Sequence, residues 1–246
     1  MRKRRITYPG ILAFMLHTSL CYAQTVKSEL LNISKAFLDI KQIGIISDTK
    51  CFNSSQMSRP EMEYKMEFYK KNDKTYTKYT NTEMVVTDHY KINLNTASKQ
   101  MFVYDLEPGS SKNQAAKPDK GFEADFLSAL DTTFKLYKEV KLKPIDEKSG
   151  EIVFVFKTGM YKEASVIYDP VSYLIKSYRV FLDLNYNAEL KKNKIDLYQI
   201  EYTYVPVQKI NVSLFDEKEY FSIQKNTIKA SKKYSNYQVI SHIKNK

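Results

Sequence analysis

The stretch HYKINLNTASKQMFVYD, residues 89 to 105, has the pattern of two strands joined by a tight turn. Apolar residues occupy every second position of its first half, at Tyr90, Ile92 and Leu94. That period is typical of a strand with one buried face. Asn95 and Ser98 favour a turn, because their side chains can bond to the nearby backbone. The stretch SVIYDPVSYLIKSYRV, residues 165 to 180, repeats the order strand, Asn or Asp, two residues, Ser, strand. Together they predict repeated antiparallel hairpins.

Four further stretches alternate with the same period of two. They are EIVFVFK from residue 151, KEASVIYD from 162, YLIKSYRVFLDL from 173 and IDLYQIEYTYV from 195. Few helical residues separate them, which excludes βαβ crossovers and leaves an antiparallel meander. The predicted fold class is therefore mainly β, of the α+β type.

Two stretches have the spacing of amphipathic helices instead. Residues 26 to 41 carry Val26, Leu30, Ile33, Phe37 and Ile40 at intervals of three and four. Residues 121 to 140 repeat that spacing with Phe122, Phe126, Leu130, Phe134 and Tyr137. Such stripes pack against another apolar surface, so both helices are expected to cover the sheet.

The first residues have the features of a secretory signal peptide. The basic start MRKRRITYPG leads into the apolar run ILAFMLHTSLCYA, which is too short to span a membrane. Cys21 and Ala23 occupy the small-residue positions of a cleavage site, so we expect residues 1–23 to be removed and residues 24–246 to form one domain. The expected location is the periplasm. The alternatives are secretion, or the outer membrane if Cys21 is acylated.

The charge pattern argues against nucleic acid as a partner. The chain has 39 Lys and Arg against 28 Asp and Glu, for a formal net charge of +11. Only five of the basic residues are Arg, and the Lys residues are interspersed with acids along the chain. Nucleic-acid-binding proteins usually cluster their charge and use Arg for bidentate contacts.

No catalytic or metal-binding pattern is present in the sequence. Cys51 is the only cysteine after the signal peptide, and His89 and His242 are the only histidines there. None of them lies in a recognised nucleophile or metal-ligand spacing. With six Gly in the whole chain there is no phosphate-binding loop. We therefore expect no catalytic residue, no metal, no cofactor and no enzymatic activity.

The order of elements resembles one known superfamily. A helix directly after the signal peptide, long hairpins, a central helix and further hairpins with turns such as YDPVSYLIK resemble the LolA/LolB-like superfamily of lipoprotein carriers. The stretch FYKKNDKTYTKYTNTEMVVTDHYKINLNTASKQMFVYD, residues 68 to 105, is similar to the part of those proteins that wraps an incomplete barrel. The resemblance implies a curved antiparallel sheet whose concave face is closed by helices around an apolar cavity for acyl chains. No functional residue is carried over from the family.

Candidate cavity residues come from the helix stripe and from three strands, at residues 152–156, 174–182 and 198–204. The candidates are Phe122, Phe126, Leu130, Phe154, Phe156, Tyr178, Val180 and Tyr202. The 20 Tyr, 13 Phe and 8 Met of the chain suit a cavity for a ligand of variable shape, but the same side chains could fill a solid core. The sequence leaves open which face of each strand points inward.

Two functions fit these patterns. The first is a periplasmic, non-enzymatic carrier or chaperone that binds the acyl chains of lipoproteins or lipids. The second is a cell-envelope interaction module of the same fold, which would dock onto a secretion or surface-assembly machine. The expected partners are an acylated lipoprotein or a lipid, with envelope proteins as further candidates, and the expected state is a monomer.

Overall fold

A computed structural model describes residues 25–106, 122–224 and 227–243, without the side chains of residues 122–126. The predicted signal peptide with its cleavage site and Cys21 lies outside these residues, and so do the side chains of Phe122 and Phe126. No helix in the described ranges is both long enough and apolar enough to cross a membrane.

The described residues form three α-helices, fourteen strands and five short 3-10 helices. The helices are α1 (residues 25–39), α2 (Phe122–Phe134) and α3 (Ala188–Asn193). The strands before α2 are β1 (Gln42–Phe52), β2 (Met62–Lys71), β3 (Lys74–Tyr79), β4 (Thr82–Val86), β5 (Tyr90–Asn95) and β6 (Gln100–Asp105). Those after it are β7 (Tyr137–Asp146), β8 (Ser149–Phe156), β9 (Tyr161–Tyr168), β10 (Ile175–Leu182), β11 (Leu197–Val205), β12 (Phe221–Gln224), β13 (Thr227–Ala230) and β14 (Gln238–His242).

Twelve of the strands form one sheet from two meanders. The spatial order is β14-β6-β5-β4-β3-β2-β1-β11-β10-β9-β8-β7. The meanders β1–β6 and β7–β11 meet where β1 and β11 pair antiparallel over nine residues. The sheet is curved and does not close into a barrel, so β14 and β7 remain at its two margins. The predicted mainly β fold with a curved meander is thereby confirmed.

Strand β14 is the one departure from an antiparallel sheet, since it pairs parallel with β6. The chain leaves β11 in the middle of the sheet and reaches β14 through residues 206–237, which we name the tail. The backbone N–H of Gln238 donates to the carbonyl of Lys99, so β14 starts beside the start of β6 and runs in the same direction.

Two apolar cores lie on opposite faces of this sheet. One core joins α1 to β8–β10 and contains Val26, Ile33, Ile152, Phe154, Ala164, Tyr168, Val180 and Leu182. We name the sheet face that carries these strand residues the helix face. The other core joins the tail to β3–β6 and contains Tyr76, Val85, Ile92, Leu94, Met101, Val103, Ile210, Phe215, Tyr220, Phe221 and Tyr234. We name that side of the sheet the tail face.

The register shows that these are different faces. Directly paired residues share a face, and side chains alternate along a strand. From Val180 the register leads through Tyr198 and Cys51 to Met62 on the helix face. Tyr69 packs on the tail-side core, and it lies an odd number of residues after Met62 on the same strand, so it points the opposite way.

Helix α2 ends earlier than its apolar stripe predicts. The predicted helical pattern runs to residue 140, but the helix ends at Phe134, and Tyr137 is the first residue of β7. Thr132 and Thr133 at the end of the helix direct their hydroxyls to the carbonyls of Ser128 and Ala129. Thr side chains that bond to the backbone in this way weaken a helix, as does their branching at Cβ. Tyr137 still contacts the Phe134 ring edge-on.

Candidate functional site

The helix face of β1–β6, β11 and β14 is the candidate functional site. Neither apolar core includes the side chains at the centre of this surface, and three of its large apolar residues are more than a third exposed. These are Met62 at 49%, Tyr79 at 43% and Met84 at 37%. A contiguous, partly exposed apolar surface of this kind is typical of a ligand or interaction site.

An apolar row of side chains crosses the centre of this surface from strand to strand. The row consists of Tyr204, Ile45, Phe68, Thr77, Met84, Asn93, Phe102 and Ile240. The next row, two residues further along the strands, contains Tyr202, Ser47, Met66, Tyr79, Thr82, Asn95, Gln100 and Gln238. Aromatic and Met side chains predominate near β1 and β2, and they can adapt their shape to a ligand. We name the helix face of β1–β6, β11 and β14 the wall.

A third row links the wall to the helix-covered part of the sheet. It contains Leu142, Ile152, Val166, Tyr178, Ile200, Thr49 and Tyr64. Ile152 is fully buried in the helix-side core, while Tyr178 is half-buried at the margin of that core. The apolar surface is therefore continuous from the wall to the helices.

Carboxylates are absent from the helix face of the strands that form the wall and of β8–β10. The Asp and Glu residues of β1–β6, β8–β11 and β14 all lie on the tail face. They are Asp48, Glu63, Glu67, Glu83, Asp105, Glu151, Glu163 and Glu201. This segregation leaves the wall free of negative side chains along these strands.

Burial raises the pKa of four phenols on these rows further above the usual range. Desolvation is the largest cause that raises the pKa of Tyr64, Tyr178 and Tyr202. It raises the pKa of Tyr204 to about 12, and the Tyr204 phenol donates a hydrogen bond to the carbonyl of Ile175. These four tyrosines therefore stay neutral at physiological pH, and they offer flat apolar rings with a polar edge.

Positive charge is confined to one end of the wall. A row at the strand ends contains Ile43, Lys70, Thr75, Val86, Lys91, Tyr104 and His242. Within the described ranges, no carboxylate lies within ion-pair distance of Lys70 or Lys91. The His242 ring stacks on Tyr104 with ring centres 4.7 Å apart. The wall thus has a cationic end and an apolar body.

The structure places the strand candidates of the sequence on the helix face, at different depths. Phe154 and Val180 are buried in the helix-side core, where they pack with residues of α1. Phe156 and Tyr178 are half-buried at the margin of that core. Tyr202 is half-buried in the wall itself. Leu130 is half-buried on α2, and a role for any of these residues in ligand binding remains a prediction.

The central wall residues Phe68, Met84 and Phe102 were not among the sequence candidates. The signal for them is the alternation of side chains within the strands between residue 68 and residue 105, which places each of these residues on one of the two faces of its strand. That alternation marks two faces, but it does not show that the tail covers one of them and leaves the other open.

Catalytic chemistry has little support in the described part of the chain. The thiol of Cys51 lies 3.1 Å from the hydroxyl of Tyr64, and burial raises the pKa of this thiol, which disfavours the reactive thiolate. His89 instead lies 3.3 Å from Glu217 at the rim of a polar cavity of about 350 Å³ on the tail side. The described residues contain no group of three or more His, Cys, Asp or Glu that could hold a metal ion.

Comparison with known proteins gives structural likenesses only. Neither a protein-family model nor a curated protein sequence matches the chain. An uncharacterised conserved protein from Thermus thermophilus is similar in structure, with 8% identity, a TM-score of 0.43 and coverage of 89% of this chain and 99% of that one. The lipoprotein LppX of Mycobacterium tuberculosis has 9% identity, a TM-score of 0.36 and coverage of 77% and 98%.

A LolA superfamily protein from Nitrosomonas europaea is also among these structures. It shares 8% of its residues with the chain, with a TM-score of 0.28 and coverage of 79% of this chain and 97% of that one. The superfamily that the sequence resembles is thus represented among the structures that the chain resembles. The likeness concerns the fold.

Proposed function

We propose that this chain is a carrier or chaperone that binds the acyl chains of lipids or lipidated proteins on the wall of its helix face. The observation that carries the proposal is the partly exposed and acid-free helix face of β1–β6, β11 and β14, whose apolar side chains are concentrated on β11, β1 and β2 and continue to Met84, Phe102 and Ile240. The sequence resemblance to the LolA/LolB-like superfamily supports the same ligand class. The activity is binding without chemistry.

Burial of hydrocarbon supplies the driving force for this activity. Each CH₂ group removed from water contributes about 0.8 kcal/mol, so a chain of about sixteen carbons contributes on the order of 10 kcal/mol before ordering costs. Affinity then needs few polar contacts, in keeping with the uncharged body of the wall. Met62, Met66 and Met84 can adapt their shape to chains of different length.

The dimensions of the wall also suit an acyl chain. Along β2 the helix face runs from Lys70 to Met62, which are eight positions apart, or about 26 Å at the usual rise of a strand. One leaflet of a bilayer has about 15 Å of hydrocarbon, which is half of the membrane core. An extended lipid chain therefore fits along β2 with room to spare.

The carrier is proposed to work outside the cytoplasm, in the periplasm, after removal of residues 1–23. The proposal rests on the basic and apolar start of the sequence. Lipid transfer between membranes needs a protein that shields hydrocarbon from water in that compartment, and an apolar wall on an exported protein provides such shielding.

A binding experiment with an uncharged lipid tests this function. The mature chain, residues 24–246, is titrated with a monoacylglycerol that carries a pyrene label on its chain. Saturable binding is expected, and Met84→Asp is expected to weaken it by about tenfold or more, because the new carboxylate must be desolvated beside the ligand. The matched control is Lys78→Asp on the tail face of the adjoining strand, which should leave the affinity unchanged.

Two results would contradict the proposal. One is a folded mature chain that takes up no labelled lipid and carries none when it is isolated from the periplasm and analysed by mass spectrometry. The other is an equal loss of affinity in Met84→Asp and Lys78→Asp. The first result would favour the alternative of an envelope interaction module with the same fold.

A further inference from the structure

We propose that the wall is selective for phospholipids with an anionic headgroup, which Lys70 and Lys91 bind at the cationic end of the wall while the acyl chains lie along its apolar body. This inference rests on the proposed function and specifies its ligand. It follows from the distribution of charge on the helix face.

Lys70 and Lys91 lie in the same cross-strand row, on β2 and β5. Thr75 and Val86 lie between them, so their backbones are three strand spacings apart, or about 14 Å in a flat sheet. Lysine side chains are long and flexible, and curvature of the sheet changes the distance between their ends. The two ammonium groups can therefore reach a headgroup that lies over Thr75 and Val86.

Both lysines are available for a ligand. Among the residues that the structure describes, neither has an acidic partner within ion-pair distance. The nearby turn residue Asp88 pairs with Lys74, which belongs to the tail face of β3. The Lys70 and Lys91 side chains are both half-buried, in a setting where an anion is less screened by water than on an open surface.

The rest of the wall does not compete for the cationic end. The carboxylates of the strands that form it point to the other face. A headgroup with one net negative charge is therefore favoured over a zwitterionic headgroup, in which a cation accompanies the phosphate.

The polarity of the wall also fixes the direction of the ligand. The side chains that follow Lys70 on this face of β2, toward the start of the strand, are Phe68, Met66, Tyr64 and Met62. Charge at one end and apolar side chains over the next 26 Å or so match an amphiphile whose headgroup lies at the β2–β3 turn. The acyl chains then point toward the end of β2 that begins at Met62.

Two soluble lipids with the same chains test this selectivity. Dioctanoyl phosphatidylglycerol and dioctanoyl phosphatidylcholine are used to displace the pyrene-labelled monoacylglycerol from the mature chain at low salt. Phosphatidylglycerol is expected to displace it at a concentration about tenfold lower. In the double variant Lys70→Glu with Lys91→Glu the preference should disappear, so that the two lipids displace the label at similar concentrations.

The control variant reverses the same amount of charge on the other face. Lys65→Glu with Lys78→Glu changes two exposed tail-face residues of β2 and β3 and should keep the preference. If the charge reversal prevents folding, Lys70→Gln with Lys91→Gln replaces it and is expected to reduce the preference to about twofold or less.

The outcomes separate this inference from the proposed function. Equal displacement by both lipids in the wild type, or a preference that survives loss of both lysines, would overturn the headgroup assignment and leave acyl-chain binding in place. Failure of the labelled monoacylglycerol itself to bind would overturn both.

Discussion

Asn95 and Asp169 hold the turns of two hairpins with the same geometry. The Oδ1 atom of Asn95 accepts hydrogen bonds from the backbone N–H groups of Ala97 and Ser98, at 3.1 and 2.9 Å. Asp169 Oδ1 accepts from Val171 and Ser172 in the same way, at 2.9 Å each. The similarity of these turns was predictable from sequence, because the side chains of Asn and Asp bond to backbone N–H groups within the turn.

The residue that completes each turn was not predictable. Lys99 and Tyr173 occupy the fourth position after the Asn or Asp and have positive φ angles of 54° and 57°. Neither residue type favours the left-handed region, in which Gly and Asn are common. Contacts made elsewhere in the fold accompany this conformation: Tyr173 stacks on Tyr168, and the Lys99 ammonium lies 5.2 Å from the centre of the Tyr237 ring.

The ionisation of Asp169 predicts a pH effect at this scale. The N–H groups of Ser172 and Val171 lower the pKa of the Asp169 carboxyl below 3.8, despite the opposing effect of desolvation. A lowered pKa stabilises the fold above the unfolded-state pKa, and this contribution is lost as the pH falls through the folded-state pKa. Asp169→Asn should therefore remove an acid-sensitive part of the stability, as seen in urea unfolding from about pH 6 down to about pH 3.

Asn95 serves as the control for that experiment. It makes the corresponding bonds without a titrating group, so Asn95→Asp should add acid sensitivity where Asp169→Asn removes it. Parallel stability-versus-pH curves for the wild type and Asp169→Asn would show that the turn carboxyl contributes nothing through its ionisation.

At the scale of elements, periodicity predicted the strands and one helix closely and failed at the end of α2. The predicted helix at residues 26–41 is α1 at residues 25–39, and the alternating stretch from residue 151 is part of β8. The end of α2 depends on Thr hydroxyls that bond to the helix backbone, while Tyr137 fits both an apolar helix stripe and a strand. The spacing of apolar residues alone therefore could not show whether Tyr137 belongs to the helix or to the following strand.

The tail is an element whose importance the sequence did not reveal. It contains short turns and the hairpin of β12 and β13, yet it supplies five buried side chains to the tail-side core. Tyr220 is 1% exposed, and its hydroxyl donates to the carbonyl of Leu214 at 2.9 Å. The sequence did not predict this packing, because the apolar residues of the tail are few and are widely separated by polar residues.

Truncation of this anchor predicts a large loss of stability. Tyr220→Ala should lower the free energy of unfolding by about 3–5 kcal/mol, because it leaves a cavity in the core and removes the hydrogen bond. Tyr186→Ala makes the same chemical change at a residue that is 61% exposed and should cost less than about 1 kcal/mol. Urea denaturation followed by circular dichroism measures both, and similar losses would show that the tail is not a structural cover.

At the scale of the molecule, the two meanders interlock. Helix α1 packs on β8–β10 of the second meander, and the chain then enters β1 of the first. Ser54 donates from its backbone N–H and its hydroxyl to the two carboxylate oxygens of Asp196, at 2.6 Å each, and these two hydrogen bonds join the chain on either side of the β1–β11 pairing. Alternation could not predict this arrangement, since it identifies strands without giving the pairing of residues about 150 positions apart in sequence.

Interlocking predicts one cooperative unfolding transition. Ile152→Ala, in the helix-side core, should lower the free energy of unfolding by about 2–5 kcal/mol. The denaturant midpoints of amide exchange in β5 and in β8 should then decrease together, by equal amounts. Native-state hydrogen exchange in increasing denaturant measures this shift. A variant in which β8 exchanges early while β5 keeps its wild-type midpoint would show that the two meanders unfold independently.

The segregation of charge between the two faces of the sheet acts before any ligand is bound. On β1–β4 each tail-face carboxylate lies opposite a lysine of the neighbouring strand: Asp48 opposite Lys65, Glu63 opposite Lys50, and both Glu67 and Glu83 opposite Lys78. Opposite charges at directly paired positions favour this strand register. A slip of one residue would turn the carboxylates into the apolar helix face, so the same charge pattern that keeps the candidate site free of acids also opposes misregistered pairing of the strands.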